Sequence, residues 1–368
     1  VADAAGAPVD AQADANGADD QATAAGDDRG APGADDASDS DSADDDGEAE
    51  PSSAPAFFAR PLAAPRPGTL ALAQVQRFYR HPARWLLAQR LGLVLRQPDE
   101  ALDDDEPFLP GFSARHDLAQ RLLPALLQAH GQGQLLADAD LLALAAAGTQ
   151  LPAGPIGSSF AQAELPLLRA HALAVADASA TPLLATHSTT LLLHIEGDDQ
   201  LQAWPLDINL SGLRPSGLLR HRYDDPRPAD HIATWLDHLA LCASAPAGVA
   251  GRTRWLGRGT QVGFRSVDAP LPLLQQLVAL FIQGQQAPLY FFPKTAWAWM
   301  AKGRSLNAAR ASWLASARKP FAEQADAANR LALRGLPDPL GAGLANFEAT
   351  SAAVLQPLFD HLDDGQPA

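Results

Sequence analysis

The sequence predicts an α/β protein, and three observations carry that prediction. Between Thr186 and Cys242, three strand-like runs, THSTTLLLHIEG, QLQAWPLDINLSG and GLLRHRYDD, precede one helix-like run, ADHIATWLDHLALC. The strand runs are rich in Thr, Leu, Ile and Trp and are broken by Gly, Asp and Pro. In the last run Ile232, Trp235, Leu236 and Leu239 recur at three- and four-residue spacing, so they share one helix face. Second, Ala/Leu-rich helical patterns flank this centre on both sides. Third, residues 1 to 56 are Ala, Asp, Gly and Ser with almost no large apolar side chain, too little to offset the entropy of ordering. Three regions follow: a disordered acidic low-complexity tail at 1–56, a helical region at 57–180, and an α/β core with C-terminal helices at 181–368.

Order is expected from Phe57. Thr69 is placed to cap a helix carrying Leu70, Val75, Phe78 and Tyr79. A second helix starts at Pro82, which suits a first turn, and runs to Gly92. Its Trp85, Leu86, Leu87 and Leu91 face inward while Arg84 and Arg90 stay wet. An acidic loop, Asp99 to Glu106, precedes a helix from Ser113 to Leu127. Asp103, Asp104, Asp105 and Glu106 are consecutive, point in different directions and lack the spacing of a calcium loop, so they read as a solvated turn. Helices at Ala137–Ala147 and Gln162–Ala178 enclose the turn LPAGPIGSS. Gly154 and Gly157 lie within it, but no Gly-Lys-Ser/Thr occurs anywhere, which excludes a P-loop ATPase. Beyond the central strands, RTRWLGRGTQVGFRS reads as a hairpin turning at Gly257 to Thr260. Leu271–Ile282 is an amphipathic helix, and Tyr290, Phe291 and Phe292 form a buried strand that Pro293 ends. Trp297 and Trp299, two apart, cannot share a helix face, so one is expected to reach a partner surface or a groove wall. Helices at Ser305–Ala317, Pro320–Arg334 and Leu344–Leu362 complete the chain.

Charge is unevenly distributed. Residues 1 to 50 hold sixteen acids and one Arg, a net of −15, out of a total of −16. The tail is therefore the acidic part, with solubility, spacing, or competition with nucleic acid as its candidate roles. From His238 to Ala322 one acid, Asp268, stands against ten Lys and Arg. Such a basic stripe suits a phosphate backbone, although a set of ordinary solvated faces would look the same in sequence. The single Cys242 excludes an internal disulfide framework and any Cys-rich zinc site, and points to a reduced, cytoplasmic setting. No run of about 18 apolar residues predicts a membrane span, and no secretory signal pattern opens the chain. The first residue is Val1 and the only methionine is Met300, the expectation for a piece of a longer protein.

Three meandering strands and a packing helix form the middle of many α/β cores, among them the PD-(D/E)xK nuclease fold. An active nuclease of that fold needs a carboxylate on one strand, and an Asp or Glu two residues before a Lys on the next, to hold a metal and activate water. The equivalent place here is Leu218-Leu219-Arg220-His221-Arg222, and the guanidinium of Arg220 cannot bind a cation. Residues two before the three lysines, Lys294, Lys302 and Lys319, are Phe292, Met300 and Ala317. The nearest imitation is Asp225-Pro226-Arg227, in a proline-rich turn. The expectation is an inactive nuclease-like core with no catalytic residue and no metal, against the alternative of a displaced active site using Glu196, Asp207 or Asp225. Candidate DNA-contact residues are Arg252, Arg254, Arg258 and Arg265 of the hairpin with Trp255 to stack on a base, joined by Arg220, Arg222 and Lys294. The competing reading of that hairpin is a half-buried element with a polar outer face.

LAQVQRFYRHPARWLLAQRLGLVL, DDDEPFLPGFSARHDLAQRLL, LPAGPIGSSFAQAEL, INLSGLRPSGLLRHRY, TWLDHLALCA, PLYFFPKTAWAW and RGLPDPL, in this order, resemble the C-terminal part of the RecC family. RecC is the noncatalytic, gamma-chain subunit of the bacterial RecBCD helicase-nuclease, exodeoxyribonuclease V. The resemblance covers roughly Phe57 to Leu362, and the acidic tail departs from it. It implies a nuclease-like domain without its metal site. Its partners would be RecB-like and RecD-like motor subunits, with double-stranded and forked DNA that the subunit contacts and helps split. It implies no cofactor for this chain, with ATP and magnesium belonging to the partner subunits, and a role in double-strand break repair and recombination. Chi recognition in that family lies largely in domains preceding this region. Pure protein–protein scaffolding is the remaining alternative.

Overall fold

The computed structural model describes residues 55–95, 112–148, 151–152, 154–197, 200–316 and 319–363. The expected disordered tail, apart from its last two residues, the acidic loop Asp99–Glu106 and Asp198-Asp199 of the first strand turn lie outside them. The architecture is a mixed α/β one, with two small sheets among eleven helices in the described residues.

The chain enters as β1 (Leu70–Ala71), which pairs parallel to a later strand, and turns at once into α1 (Leu72–Arg80). This pairing keeps the backbone extended past Thr69, so the cap is Ala71, whose N–H is received by Gln74 Oε1 at 3.1 Å. α1 buries Leu72, Val75, Phe78 and Tyr79 in the main core. In α2 (Pro82–Leu91) His81 Nδ1 accepts the Arg84 N–H at the start, and Gly92 at φ +67° closes the end, a conformation glycine adopts without a Cβ penalty. Leu86 and Leu87 are buried, but Leu91 turns outward.

α3 (Phe112–Gly131), α4 (Asp138–Ala146) and α5 (Pro155–Ala178) pack on each other through Leu118, Leu122, Leu141, Leu165 and Leu168. This core is separate from the main one, so α1 belongs with the α/β part and not with the helices that follow it. Tyr223 joins the two by entering the α3–α5 cluster. Beside it the buried Glu164 carboxylate receives Arg258 Nε at 2.9 Å, Arg258 Nη2 at 2.7 Å and the Tyr223 hydroxyl at 2.5 Å. Burial alone would raise the Glu164 pKa, but the hydrogen bonds from Arg258 and Tyr223 outweigh it and hold the carboxyl below its usual range.

β2 (His187–Glu196) and β3 (Leu201–Leu210) form a ten-residue antiparallel ladder, with β3 between β1 and β2. Trp204, Leu206, Ile208 and Leu210 alternate into the core, the period of two that a strand buried on one face requires. The third strand does not continue this meander. At Gly212, φ +75°, the chain leaves the first sheet and forms β4 (Leu213–Arg214) and β5 (Gly217–His221), which begin a second sheet. After α6 (Pro228–Ser244), β6 (Thr253–Leu256) pairs parallel to β5 and antiparallel to β7 (Gln261–Phe264). The second sheet thus runs β4-β5-β6-β7.

α7 (Pro270–Gln283), α8 (Pro293–Ala301), α9 (Leu306–Trp313), α10 (Ala327–Ala332) and α11 (Leu344–Asp360) complete the fold. Tyr290, Phe291 and Phe292 make no strand. Phe291 and Phe292 are buried as coil against aromatic neighbours, and apolar burial there needs no ladder. The expected helix Pro320–Arg334 shrinks to α10 because Asp326 accepts the Ala328 and Asn329 N–H groups and so sets a new start. Trp299 is buried, and Trp297 is also held inside the chain, stacked on His231 at 4.3 Å and against Phe359.

Two outcomes follow. Gly217 sits at φ +125°, and a Cβ there would lie 2.2 Å from the Arg252 carbonyl oxygen. Gly217→Ala is expected to cost at least about 3 kcal/mol, by adding backbone strain to a backbone clash, read as a lowered urea midpoint. Glu164 has a folded pKa below its unfolded value, so its contribution is present above about pH 4.3 and is lost as pH falls through the folded value. Glu164→Gln is expected to cost about 3 kcal/mol at pH 7, a gap to the parent that narrows in urea titrations as pH falls through the folded value.

Candidate nucleic-acid interface

The second sheet has two faces with different tasks. Leu218, Arg220, Thr253, Trp255 and Phe264 point to α6, a helix buried from His231 to Leu241 except at Ala233. Burial forces every polar group on this side to find a partner. Asp237 of α6 receives Arg220 Nε at 3.0 Å and Nη2 at 2.8 Å on one oxygen and Gln76 Nε2 at 2.7 Å on the other. Arg220 Nη1 donates to the Ser211 carbonyl at 2.5 Å. His238 lies 2.9 Å from Thr253 Oγ1 through Nδ1 and 2.8 Å from the Arg265 carbonyl through Nε2, so Nε2 carries the proton and Nδ1 accepts from the hydroxyl. Burial pushes the His238 pKa down to about 4, which keeps the ring neutral.

The other face is covered at one end and open at the other. Where α5 lies against it, His171 Nδ1 donates to the Gly257 carbonyl at 2.8 Å and Leu256 is buried. At the open end Arg254 is exposed opposite Gly263, and the same register continued by one residue sets Arg252 opposite Arg265. Strand alternation therefore puts the three exposed arginines on one face. Arg254 Nη2 holds Gln261 Oε1 at 2.9 Å, and Arg265 Nη2 holds the Asp360 carbonyl at 2.7 Å. Among the described residues a carboxylate seen to face the row is that of Asp363, which lies over Gly263, where a Cβ would come within 2.8 Å of its Oδ2. Like charges directly opposed repel, so this row favours an additional anion.

The other candidate residues are placed differently. Trp255 is only 7% exposed, so the ring expected to stack on a base is packed inward. Alternation along a four-residue strand decides this: with Arg252 and Arg254 outward, Trp255 must point in. Arg258 is bound to Glu164, Arg220 to Asp237, and Arg222 to Asp230 at 2.7 Å. Lys294 is exposed on a different element, at the start of α8, where its N–H and that of Thr295 donate to Glu323. Of the three carboxylates of the displaced-site alternative, Glu196 pairs with Leu201 while Asp207 is six residues further along the same ladder, about 20 Å away. Asp225 faces Arg115 and Arg258 instead. Sequence reasoning missed Glu164, Asp237 and His238 as organising residues. The last two had a readable signal, two polar side chains set inside the apolar run WLDHLAL.

Among the described residues no helix is long and apolar enough to cross a membrane. Residues 67–304 match the RecC C-terminal domain family, from the segment leading into β1 to the end of α8. Over 246 residues the chain is 30% identical to the RecBCD enzyme subunit RecC of Escherichia coli (strain K12), covering 66% of this chain and 20% of that protein. The chain thus spans about one fifth of the length of this curated relative. With more than half of its residues matched in one continuous stretch that includes both sheets, the chain belongs to the RecC C-terminal domain family.

Proposed function

We propose that this chain is a noncatalytic DNA-contacting and scaffolding region of a RecBCD-type helicase-nuclease acting in double-strand break repair and recombination, in the cytoplasm. The observation that carries the DNA contact is the exposed row Arg252, Arg254 and Arg265, three guanidinium groups on one open sheet face. Arginine forks suit phosphate oxygens, and contacts to phosphate position a duplex without reading its sequence. Arg220, Arg222, Arg258 and Trp255 serve this reading by holding the sheet that presents the row. Helping to split the duplex then amounts to anchoring its backbone while motor subunits pull, since both aromatics of the hairpin strands, Trp255 and Phe264, are buried.

The noncatalytic part of the reading, with an inactive PD-(D/E)xK-like core, is supported by the Arg220–Asp237 pair. In it the guanidinium of Arg220 ties up the Asp237 carboxylate, so neither group is available to hold a metal ion. RecB-like and RecD-like subunits as partners, and ATP and magnesium as theirs, rest on the family.

Changing Arg252, Arg254 and Arg265 together to Gln is expected to weaken duplex and forked-DNA binding alike, and to lower the salt slope of binding by about 2 to 3. Fluorescence anisotropy between 50 and 200 mM salt measures both. An unchanged slope with intact folding would assign the row to an acidic protein partner instead. With magnesium or manganese the chain is expected to leave DNA uncut in a gel assay. Metal-dependent cleavage abolished by Asp207→Ala or Asp225→Ala would establish the displaced-site nuclease.

A further inference from the structure

We propose that the acidic segment at residues 1–50 binds the arginine row at Arg252, Arg254 and Arg265 and competes there with polyanions. The inference rests on the DNA-contact reading of that row and adds a regulator carried in the same chain. Its first support is charge: the segment has sixteen acids and one Arg, a net of −15, while the other 318 residues together carry −1. Its second support is geometric. Arg252 and Arg265 flank the last pair of the hairpin, Thr253–Phe264, with Arg254 beside them, and among the described residues the carboxylate seen over this face is that of Asp363, one against three arginines. Asp360 meets Arg265 through its backbone carbonyl, its carboxylate accepting from Gln356 instead, and Asp268 lies past the hairpin in an exposed position.

The chemistry of the segment fits an electrostatic ligand and no other kind. Residues 1–50 contain no aromatic, Leu, Ile or Met, so apolar docking has nothing to work with. Carboxylates come in close groups, Asp35-Asp36, Asp39, Asp41 and Asp44-Asp45-Asp46, at a density of charge that resembles a phosphate backbone. Asp46 and Asp35 stand 9 and 20 residues before residue 55, stretches that can extend at most about 30 and 70 Å. A tethered ligand acts at an effective concentration on the order of 1 mM. A weak contact with a dissociation constant of about 0.1 to 0.5 mM would then fill the row most of the time and reduce apparent DNA affinity about three- to tenfold. Screening limits the effect to low salt, since the Debye length is about 10 Å at 0.1 M and shorter above it.

Two measurements on the full chain test this. In the first, the sixteen acids of residues 1–50 are changed to Asn or Gln at constant length, and affinity for a 30-base-pair duplex is compared with the parent. The expected result is three- to tenfold tighter binding at 50 mM salt and no difference at 0.4 M. In the second, spin labels on Ser42→Cys and Ser266→Cys in a Cys242→Ser background report the distance from segment to row without DNA. A short-distance population is expected at 50 mM salt, lost at 0.4 M and lost when the three arginines are Gln. Absence of that population, or equal DNA affinity of neutralised and parent chains, overturns the proposal. If no version binds DNA, the DNA-contact reading fails by itself, and the distance measurement alone decides whether the segment occupies the row.

Discussion

The Asp237 carboxylate is the interaction on which the rest depends. It sits in a helix that is buried almost all round, and it is reached by Arg220 from β5 and by Gln76 from α1, elements about 145 residues apart in the chain. An unpaired carboxylate in such a place would cost several kcal/mol or stay protonated. Its partners are therefore obligatory, and once they are in place α1, α6 and the second sheet have little freedom to shift against one another. Thr234 and His238 repeat the pattern on the same helix, through the Asp230 carbonyl and through Thr253 with the Arg265 carbonyl. α6 thus serves as the frame of the α/β part by polar matching as much as by its apolar face.

This frame explains how the arginine row comes to be presented. His238 holds the backbone of Arg265 from within, and Thr253, bonded to the same ring, stands between Arg252 and Arg254. Each outward arginine is therefore adjacent in sequence to an inward residue fixed on α6. The backbone of a row built this way is positioned by the core and only its side chains are left to order when an anion arrives, which reduces the entropy lost on binding. The far end of the same face is closed by α5, with His171 on the Gly257 carbonyl and Glu164 on Arg258. The α3–α5 helices accordingly decide how much of the sheet remains open.

Much of the fold was legible locally. Pro82 and Gly92 bracket α2, the spacing of Ile232, Trp235, Leu236 and Leu239 marks α6, and the turn at Gly257–Thr260 marks the β6–β7 hairpin. Errors came where a long-range choice overrode a local signal. The run at Gly217 was read as a third strand of the first meander, but Gly212 and Gly217, both at positive φ, send it to a partner strand 35 residues later. The aromatic run Tyr290–Phe292 looked like a strand, yet its burial is met by side-chain packing alone. At the candidate site the composition of the hairpin was readable and its facing was not. A four-residue strand offers too few alternations to say whether Trp255 or its arginine neighbours point to solvent.

The stripe from His238 to Ala322 shows why charge in sequence is a weak guide to charge in space. Arg258 lies in the stripe, but its charge is cancelled by Glu164, ninety-four residues away and outside it. Burial of the pair makes the assignment firm, because neither group could be left alone there without a large desolvation cost. Arg220 and Arg222, just before the stripe, are consumed in the same way by Asp237 and Asp230. Arginine suits all three places, since its planar fork can meet two acceptors at once and its charge persists when water is excluded. The preference of this chain for Arg over Lys therefore has a structural share as well as a surface one. Only after that share is subtracted does the row at Arg252, Arg254 and Arg265 stand out, as exposed charge on this sheet that is not consumed by a buried carboxylate.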